Sequence, residues 1–168
     1  MDVGDSPAVP PLDRAQVAAL VDELRGKGLV RRVVLANGCF DLLHVGHVRY
    51  LADAKAQGDF LIVALNTDES VRALKGAGRP LVPLAERAEL VRALRCVDLV
   101  TAFGEATLEA TLRAIQPDVH AKGTDYTRET VPEREVDREL GIEIAICGDP
   151  KTRSSTALLA GRGAEPRG

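Results

Sequence analysis

The sequence predicts a single α/β domain, doubly wound around a five-stranded parallel sheet. Three observations predict it. Largely apolar runs of three to six residues alternate with stretches of helical periodicity from one end of the chain to the other. The runs are continuous rather than alternating in polarity, the pattern of strands covered on both faces, as in a parallel sheet flanked by helices. Polar clusters rich in Asn, Asp, Lys and Gly follow four of the runs directly, and in a parallel sheet such loops share the carboxyl edge where ligands bind. A chain of 168 residues suits one such domain with a full core and is too short for two ordinary ones.

The elements follow in order. Residues 1–11 are small, polar and proline-bearing, and are expected to be disordered. The folded domain is expected over 12–160. It opens with a helical segment over 12–28, which Asp13 caps and whose Val17, Leu20, Val21 and Leu24 recur at helical spacing. Strands are predicted at Val33–Ala36, Phe60–Leu65, Leu99–Ala102, Val119–Ala121 and Ile142–Ile146. Helices are predicted at Val45–Gln57, Asp68–Leu74, Leu84–Arg95, Thr107–Ile115, Val131–Leu140 and Ser154–Leu159, with a disordered tail over 161–168.

Composition narrows the function classes. With 22 Lys and Arg against 25 Asp and Glu, the net charge of -3 gives no footprint for nucleic acid or an anionic membrane. Cys39, Cys96 and Cys147 are odd in number and far apart, which argues against a disulfide framework or structural zinc and for a reducing compartment. The longest apolar run, Phe60–Leu65, is too short to span a bilayer, and the N-terminus lacks the basic and apolar regions of a signal peptide. The expectation is a soluble, cytoplasmic protein.

The most informative stretch is Asn37-Gly38-Cys39-Phe40-Asp41-Leu42-Leu43-His44-Val45-Gly46-His47. It places two histidines three residues apart where a strand turns into a helix. At such a junction the unpaired backbone N–H groups and the helix dipole favour anions, and two imidazoles can donate further hydrogen bonds to phosphate. There is no G-x-G-x-x-G after the first strand and no G-x-x-x-x-G-K-[ST], which argues against hydride transfer and P-loop chemistry. A histidine metal site lacks support: the third histidine, His120, falls in a predicted strand with no ligand cluster around it, so no His or Cys is expected to bind metal directly.

The His44-Val45-Gly46-His47 turn, with N-G-C-F-D-x-L upstream, resembles the H-x-G-H nucleotidyltransferase superfamily. Within it, the chain is similar to the cytidylyltransferase-like branch, and most of all to bacterial heptose 1-phosphate adenylyltransferases. N-x-D at Asn66–Asp68, K-G-x-G-R-P at Lys75–Pro80, E-R at Glu86–Arg87, K-G-x-D-Y at Lys122–Tyr126 and R-S-x-T at Arg153–Thr156 follow in the expected order. The resemblance covers about Val33 to Leu159.

The resemblance implies transfer of AMP from ATP, with Mg²⁺, to a sugar 1-phosphate, giving an ADP-sugar and pyrophosphate. A D-glycero-D-manno-heptose 1-phosphate is the implied acceptor. It implies catalytic roles for His44, His47, Lys75 and Arg87, and nucleotide contacts from Asn37, Gly38, Cys39, Phe40, Gly46, Asn66, Asp68, Lys122, Gly123, Asp125, Tyr126, Arg153, Ser154, Ser155 and Thr156. Asp41 would lie near the acceptor or the metal. The implied partners are small-molecule substrates and a second copy of the chain, with no nucleic acid and no membrane. Residue chemistry alone leaves other roles open: Asn66 and Asp68 as helix caps, Lys75 as a solvated lysine in a Gly-rich loop, and Arg87 paired with Glu86 or Glu89 on a helix surface. Relatives carry glycine where Thr124 stands and just before the Ser/Thr run, where this chain has Pro150-Lys151-Thr152-Arg153. The alternatives are a glycerol 3-phosphate cytidylyltransferase, a flavin-type adenylyltransferase, and a nucleotide-binding module without catalysis.

Overall fold

The computed structural model of the protein describes residues 9–150. The helix expected at Ser154–Leu159, the Arg153–Thr156 turn, the 161–168 tail and most of the N-terminal segment lie outside the described residues. Five strands run in parallel in the order β3-β2-β1-β4-β5: β1 Val33–Gly38, β2 Phe60–Asn66, β3 Leu99–Phe103, β4 Val119–Gly123 and β5 Glu143–Cys147. The helices are α1 Arg14–Gly26, α2 Val45–Ala56, α3 Asp68–Lys75, α4 Leu84–Arg92, α5 Glu109–Ile115 and α6 Arg134–Leu140. The chain winds outward from β1 through β2 to β3, then returns to the far side of β1 for β4 and β5. The strand order therefore reverses between β1 and β4, the position at which doubly wound sheets hold ligands.

Alternation along each strand sorts the core into two layers. Val34 and Ala36 of β1 pack with Leu51 and Ala54 of α2 and with Ala88 and Val91 of α4. Val33 and Leu35 pack on the opposite face with Val17 and Val21 of α1, Leu112 and Ile115 of α5, and Val136 of α6. Leu51 and Ala54 are the buried residues of α2, so this two-residue seam fixes the helix against the sheet. Burying a leucine completely stabilises by about 1.5–3 kcal/mol.

Local chemistry explains the element ends. Asp13 caps α1 by accepting from Gln16 N, and the Gln16 side chain returns the bond, a reciprocal capping box. Two helices begin later than the sequence suggests. The predicted Thr107–Ile115 helix starts at Glu109, with Leu108 as its N-cap and the Leu108 N–H held by Glu133 Oε1 at 3.1 Å. The Val131–Leu140 helix starts at Arg134, beyond Pro132 and the buried Glu133. His120 lies in β4 as expected and is fully buried, its Nδ1 2.9 Å from Asp137 Oδ2 of α6.

Candidate active site

A cavity of about 870 Å³ opens at the carboxyl edge of the sheet, and every strand contributes to its wall: Asn37 and Gly38 from β1, Asn66 from β2, Phe103 from β3, Lys122 and Gly123 from β4, and Cys147 from β5. That volume is within the range of small-molecule sites. His44, Gly46 and His47 line the cavity together with Cys39, Phe40, Asp41, Lys75, Asp125 and Tyr126. The β1–α2 turn, the end of α3 and the loop after β4 are thereby brought to one place.

The histidine turn caps its own helix. His44 is the N-cap of α2, and its Nδ1 accepts from Gly46 N at 3.1 Å. His47, three residues on, accepts from His44 N through its own Nδ1 at 3.3 Å. A neutral imidazole whose Nδ1 accepts must carry its proton on Nε2. The backbone therefore sets both rings in one tautomer, with Nε2–H as the donor. The rings lie 3.9 Å apart between centroids. Gly46 makes this arrangement possible: a Cβ there would stand 2.9 Å from His44 Cε1 and Nδ1.

Upstream, Phe40 adopts a left-handed backbone with φ 48°, and its ring packs against His47 and Tyr50 at centroid distances of 5.1 and 6.5 Å. Gly38 leaves room for that ring, which a Cβ would meet at 2.9 Å. Tyr50 donates to Ala121 O at 2.8 Å and ties α2 to β4; burial raises its phenol above the ordinary range. Asp41 is buried and straps down the segment before α4. Its Oδ1 accepts from Leu81 N at 2.7 Å and Val82 N at 3.0 Å, and its Oδ2 lies 2.8 Å from Arg79 Nη1, paired in charge without hydrogen-bond alignment. Burial raises the Cys39 thiol, while Lys75, Arg87 and Arg79 pull the other way, so three cationic side chains act electrostatically on the turn.

Arg87 and Asp68 are placed differently from the other residues singled out by sequence. Neither lines the cavity. Arg87 is 0% exposed, so the surface pairing with Glu86 or Glu89 does not occur. Its guanidinium donates to Val82 O (2.9 Å), Cys39 O (2.7 Å), Asn66 O (2.8 Å) and Asp68 Oδ1 (2.7 Å). Asp68 caps a helix, though α4 rather than its own, by accepting from Leu84 N; Thr67 is the N-cap of α3. Asn66 lines the cavity and donates to Ser70 Oγ at 2.9 Å. Lys75 is the last residue of α3 and not part of the Gly-rich loop, which starts at Gly76 with φ 92°. Thr124 has no left-handed backbone, and its hydroxyl donates to Asp149 O at 2.9 Å, so a side chain is accommodated there.

The sequence does not single out Glu133, yet it lines the cavity at 4% exposure, beside Lys122 at 5%. It matches no motif position, and its signal is a carboxylate next to Pro132 just before a helix. Burial opposes its ionisation, but the Lys122 ammonium, the Leu108 N–H and His120 outweigh burial and hold its carboxyl below the usual glutamate range.

Among the described residues, no three His, Cys, Asp or Glu side chains gather to hold a metal. Of the four cavity carboxylates, three face a cation, Asp41 to Arg79, Glu133 to Lys122 and Asp149 to Arg49, and the fourth is Asp125. Such a donor set does not fit a resident magnesium cage, which needs near-octahedral oxygen ligands. No described helix is long and apolar enough to cross a membrane.

Residues 35–154 match the cytidylyltransferase-like family. The chain is 47% identical over 166 residues to the bifunctional protein HldE of Streptomyces coelicolor, covering 94% of this chain and 36% of that one. It is 45% identical over 148 residues to the bifunctional protein HldE of Geotalea uraniireducens, covering 88% of this chain and 29% of that one. The chain thus spans about a third of the length of these curated relatives. A lipopolysaccharide core biosynthesis protein from Thermoplasma volcanium superposes with a TM-score of 0.61 at 26% identity, over 71% of this chain and 98% of the other. The strand order, the cavity at its reversal point and the self-capped histidine turn agree with these likenesses: the chain belongs to the cytidylyltransferase-like family and is a nucleotidyltransferase domain.

Proposed function

We propose that the chain transfers AMP from ATP to a sugar 1-phosphate, a D-glycero-D-manno-heptose 1-phosphate, releasing an ADP-sugar and pyrophosphate. The observation that carries this reading is the pair of imidazoles whose Nδ1 atoms are spent on backbone N–H groups at a helix N-terminus, which makes their Nε2–H groups donors for phosphate. High identity to bifunctional HldE proteins supports the adenylyl donor and the heptose acceptor. An acceptor phosphate oxygen attacks the α-phosphorus, the bond from that phosphorus to the bridging oxygen breaks, and pyrophosphate leaves with the electron pair. Both reactants are anionic, so positioning and charge neutralisation dominate, and no covalent enzyme intermediate is needed.

In this reading His44 and His47 donate to the nucleotide phosphates, and Lys75 at the cavity wall adds positive charge on the triphosphate side. Mg²⁺ belongs to the nucleotide substrate, held mainly by its phosphates. Asn37, Gly38, Cys39, Phe40, Gly46, Asn66, Gly123, Asp125 and Tyr126 shape the nucleotide wall; the resemblance adds nucleotide contacts from Arg153, Ser154, Ser155 and Thr156, which lie outside the described residues. Arg87, Asp68 and Asp41 position that wall rather than touch substrate. Family resemblance supports a homodimer acting in the cytoplasm, which sedimentation and cell fractionation would test. The decisive assay measures pyrophosphate release for ATP, CTP, GTP and UTP against heptose 1-phosphate, glycerol 3-phosphate and FMN. ATP with heptose 1-phosphate should give the highest kcat/KM. CTP-dependent release with glycerol 3-phosphate, and none with ATP, would overturn the proposal, as would binding without release for every pair.

A further inference from the structure

Lys122 and Glu133 form a buried ion pair in the wall of the cavity, away from the phosphate-handling turn. Asn37 follows Leu35 by two residues in β1, and Lys122 follows His120 by two in β4. Leu35 packs in the layer formed by α1, α5 and α6, and His120 reaches Asp137 of α6. Alternation along the strands therefore directs Asn37 and Lys122 to the α5–α6 face, while the paired imidazoles stand on α2 on the other face. Lys122 Nζ donates to Asn37 Oδ1 at 3.2 Å and to Glu133 Oε2 at 3.3 Å, and lies 4.9 Å from the centroid of the Tyr126 ring. Glu133 Oε1 is occupied by the Leu108 N–H. Oε2 accepts from Lys122 at 3.3 Å, and the carboxylate, which can accept about four hydrogen bonds, lines the cavity.

A buried ion pair contributes little net stability against an apolar replacement, so stability alone does not account for one in a cavity wall. The pair is formally neutral, and its carboxylate repels phosphate. The Lys122 ammonium stands over one face of the Tyr126 ring, so the aromatic partner of the pair is engaged by a cation on that side. What matches a carboxylate, an ammonium and an amide oxygen set side by side is a pair of adjacent hydroxyls, each of which donates one hydrogen bond and accepts others.

We propose that Asn37, Lys122 and Glu133 form a vicinal-diol subsite that sets specificity for a sugar hydroxyl pair. The diol comes from the acceptor pyranose or from the ribose of the nucleotide. This inference rests on the adenylyl-transfer reading above. In it, the sheet separates two tasks: α2 handles phosphate, and the α5–α6 face recognises hydroxyls.

The test uses the full chain and steady-state pyrophosphate release with heptose 1-phosphate and its monodeoxy analogues, and with ATP and its 2′-deoxy and 3′-deoxy analogues. In the wild-type protein, loss of a recognised hydroxyl should raise KM by about tenfold to a hundredfold. In Glu133→Gln, KM for the parent ligand should rise by a similar factor, and the difference between parent and deoxy ligand should collapse to within about threefold. Collapse in the sugar series identifies the acceptor as the source of the diol, and collapse in the nucleotide series identifies the ribose. Lys122→Met/Glu133→Gln, which removes both charges together, gives the same reading should the single variant not fold. Discrimination that Glu133→Gln leaves unchanged in both series overturns the subsite alone. So does a collapse seen only between ATP and purine riboside triphosphate, which would assign the pair to the base. A wild-type protein that turns over no sugar 1-phosphate overturns this inference and the proposed function together.

Discussion

Replacing Arg87 with methionine separates a positioning arginine from a catalytic one. The guanidinium is sealed from solvent and donates four hydrogen bonds, at 2.7–2.9 Å, to three backbone oxygens and one carboxylate. Methionine fills much of the volume but returns none of these donors. The Cys39, Asn66 and Val82 carbonyls are left without this partner, and Asp68 loses its counter-charge. Removing one partner of a buried ionic network costs about 3–5 kcal/mol. A domain of this size loses roughly 2–4 °C of melting temperature per kcal/mol, so Tm should fall by roughly 6–20 °C. Arg87→Lys should recover only part of that, because an ammonium cannot reproduce a planar fork serving four acceptors. Calorimetry with parallel measurement of kcat and KM is the assay. A Tm within about 2 °C of wild type, together with a hundredfold fall in kcat, would refute the reasoning and place the guanidinium on the substrate.

His47→Ala should lower kcat by about 10²–10³-fold if its Nε2–H stabilises transition-state charge, and an unchanged kcat would remove it from that role. Gly46→Ala should retain the fold, since a helical backbone accepts alanine. Its Cβ would displace the His44 ring from Gly46 N, so circular dichroism should be preserved while kcat falls. Glu133 ionises more readily in the folded chain than in the unfolded one, because Lys122, the Leu108 N–H and His120 outweigh burial. Its contribution is therefore present above the unfolded value of about 4.3 and is lost as pH falls through the lower folded value. Wild-type Tm should drop more steeply than that of Glu133→Gln below that pH; parallel curves would deny the coupling. Burial pushes the Cys147 thiol up to about 12, so iodoacetamide should label it slowly at pH 8, as mass spectrometry would show.

β1 and β2 were legible because parallel strands buried on both faces show as uninterrupted apolar runs, whereas Thr101, His120 and Glu143 interrupt the runs of the other three. All five predicted runs overlap the observed strands. The self-capped turn was legible in location because both histidines fall between the end of β1 and the first turn of α2, six and nine residues beyond Gly38. Its tautomer was not, because that depends on which ring nitrogen meets a backbone N–H. Arg87 shows the other kind of miss. Its motif position marks it as important, but three of its partners lie 19 to 48 residues away, and only the fold shows that it faces carbonyls instead of the cavity. Glu133 was hidden for the same reason: its partners are brought together by the β4–α6 connection and the start of α5.

The histidine turn has one more consequence. The two N–H groups that an N-cap serine or aspartate and a glutamate or glutamine three residues on would ordinarily satisfy are satisfied here by the imidazoles themselves. Starting the helix and fixing the orientation of both rings are thus a single event. Replacing either ring would therefore loosen the first turn of α2 as it removes a side chain from the cavity wall, and local order at this turn would report directly on the capping.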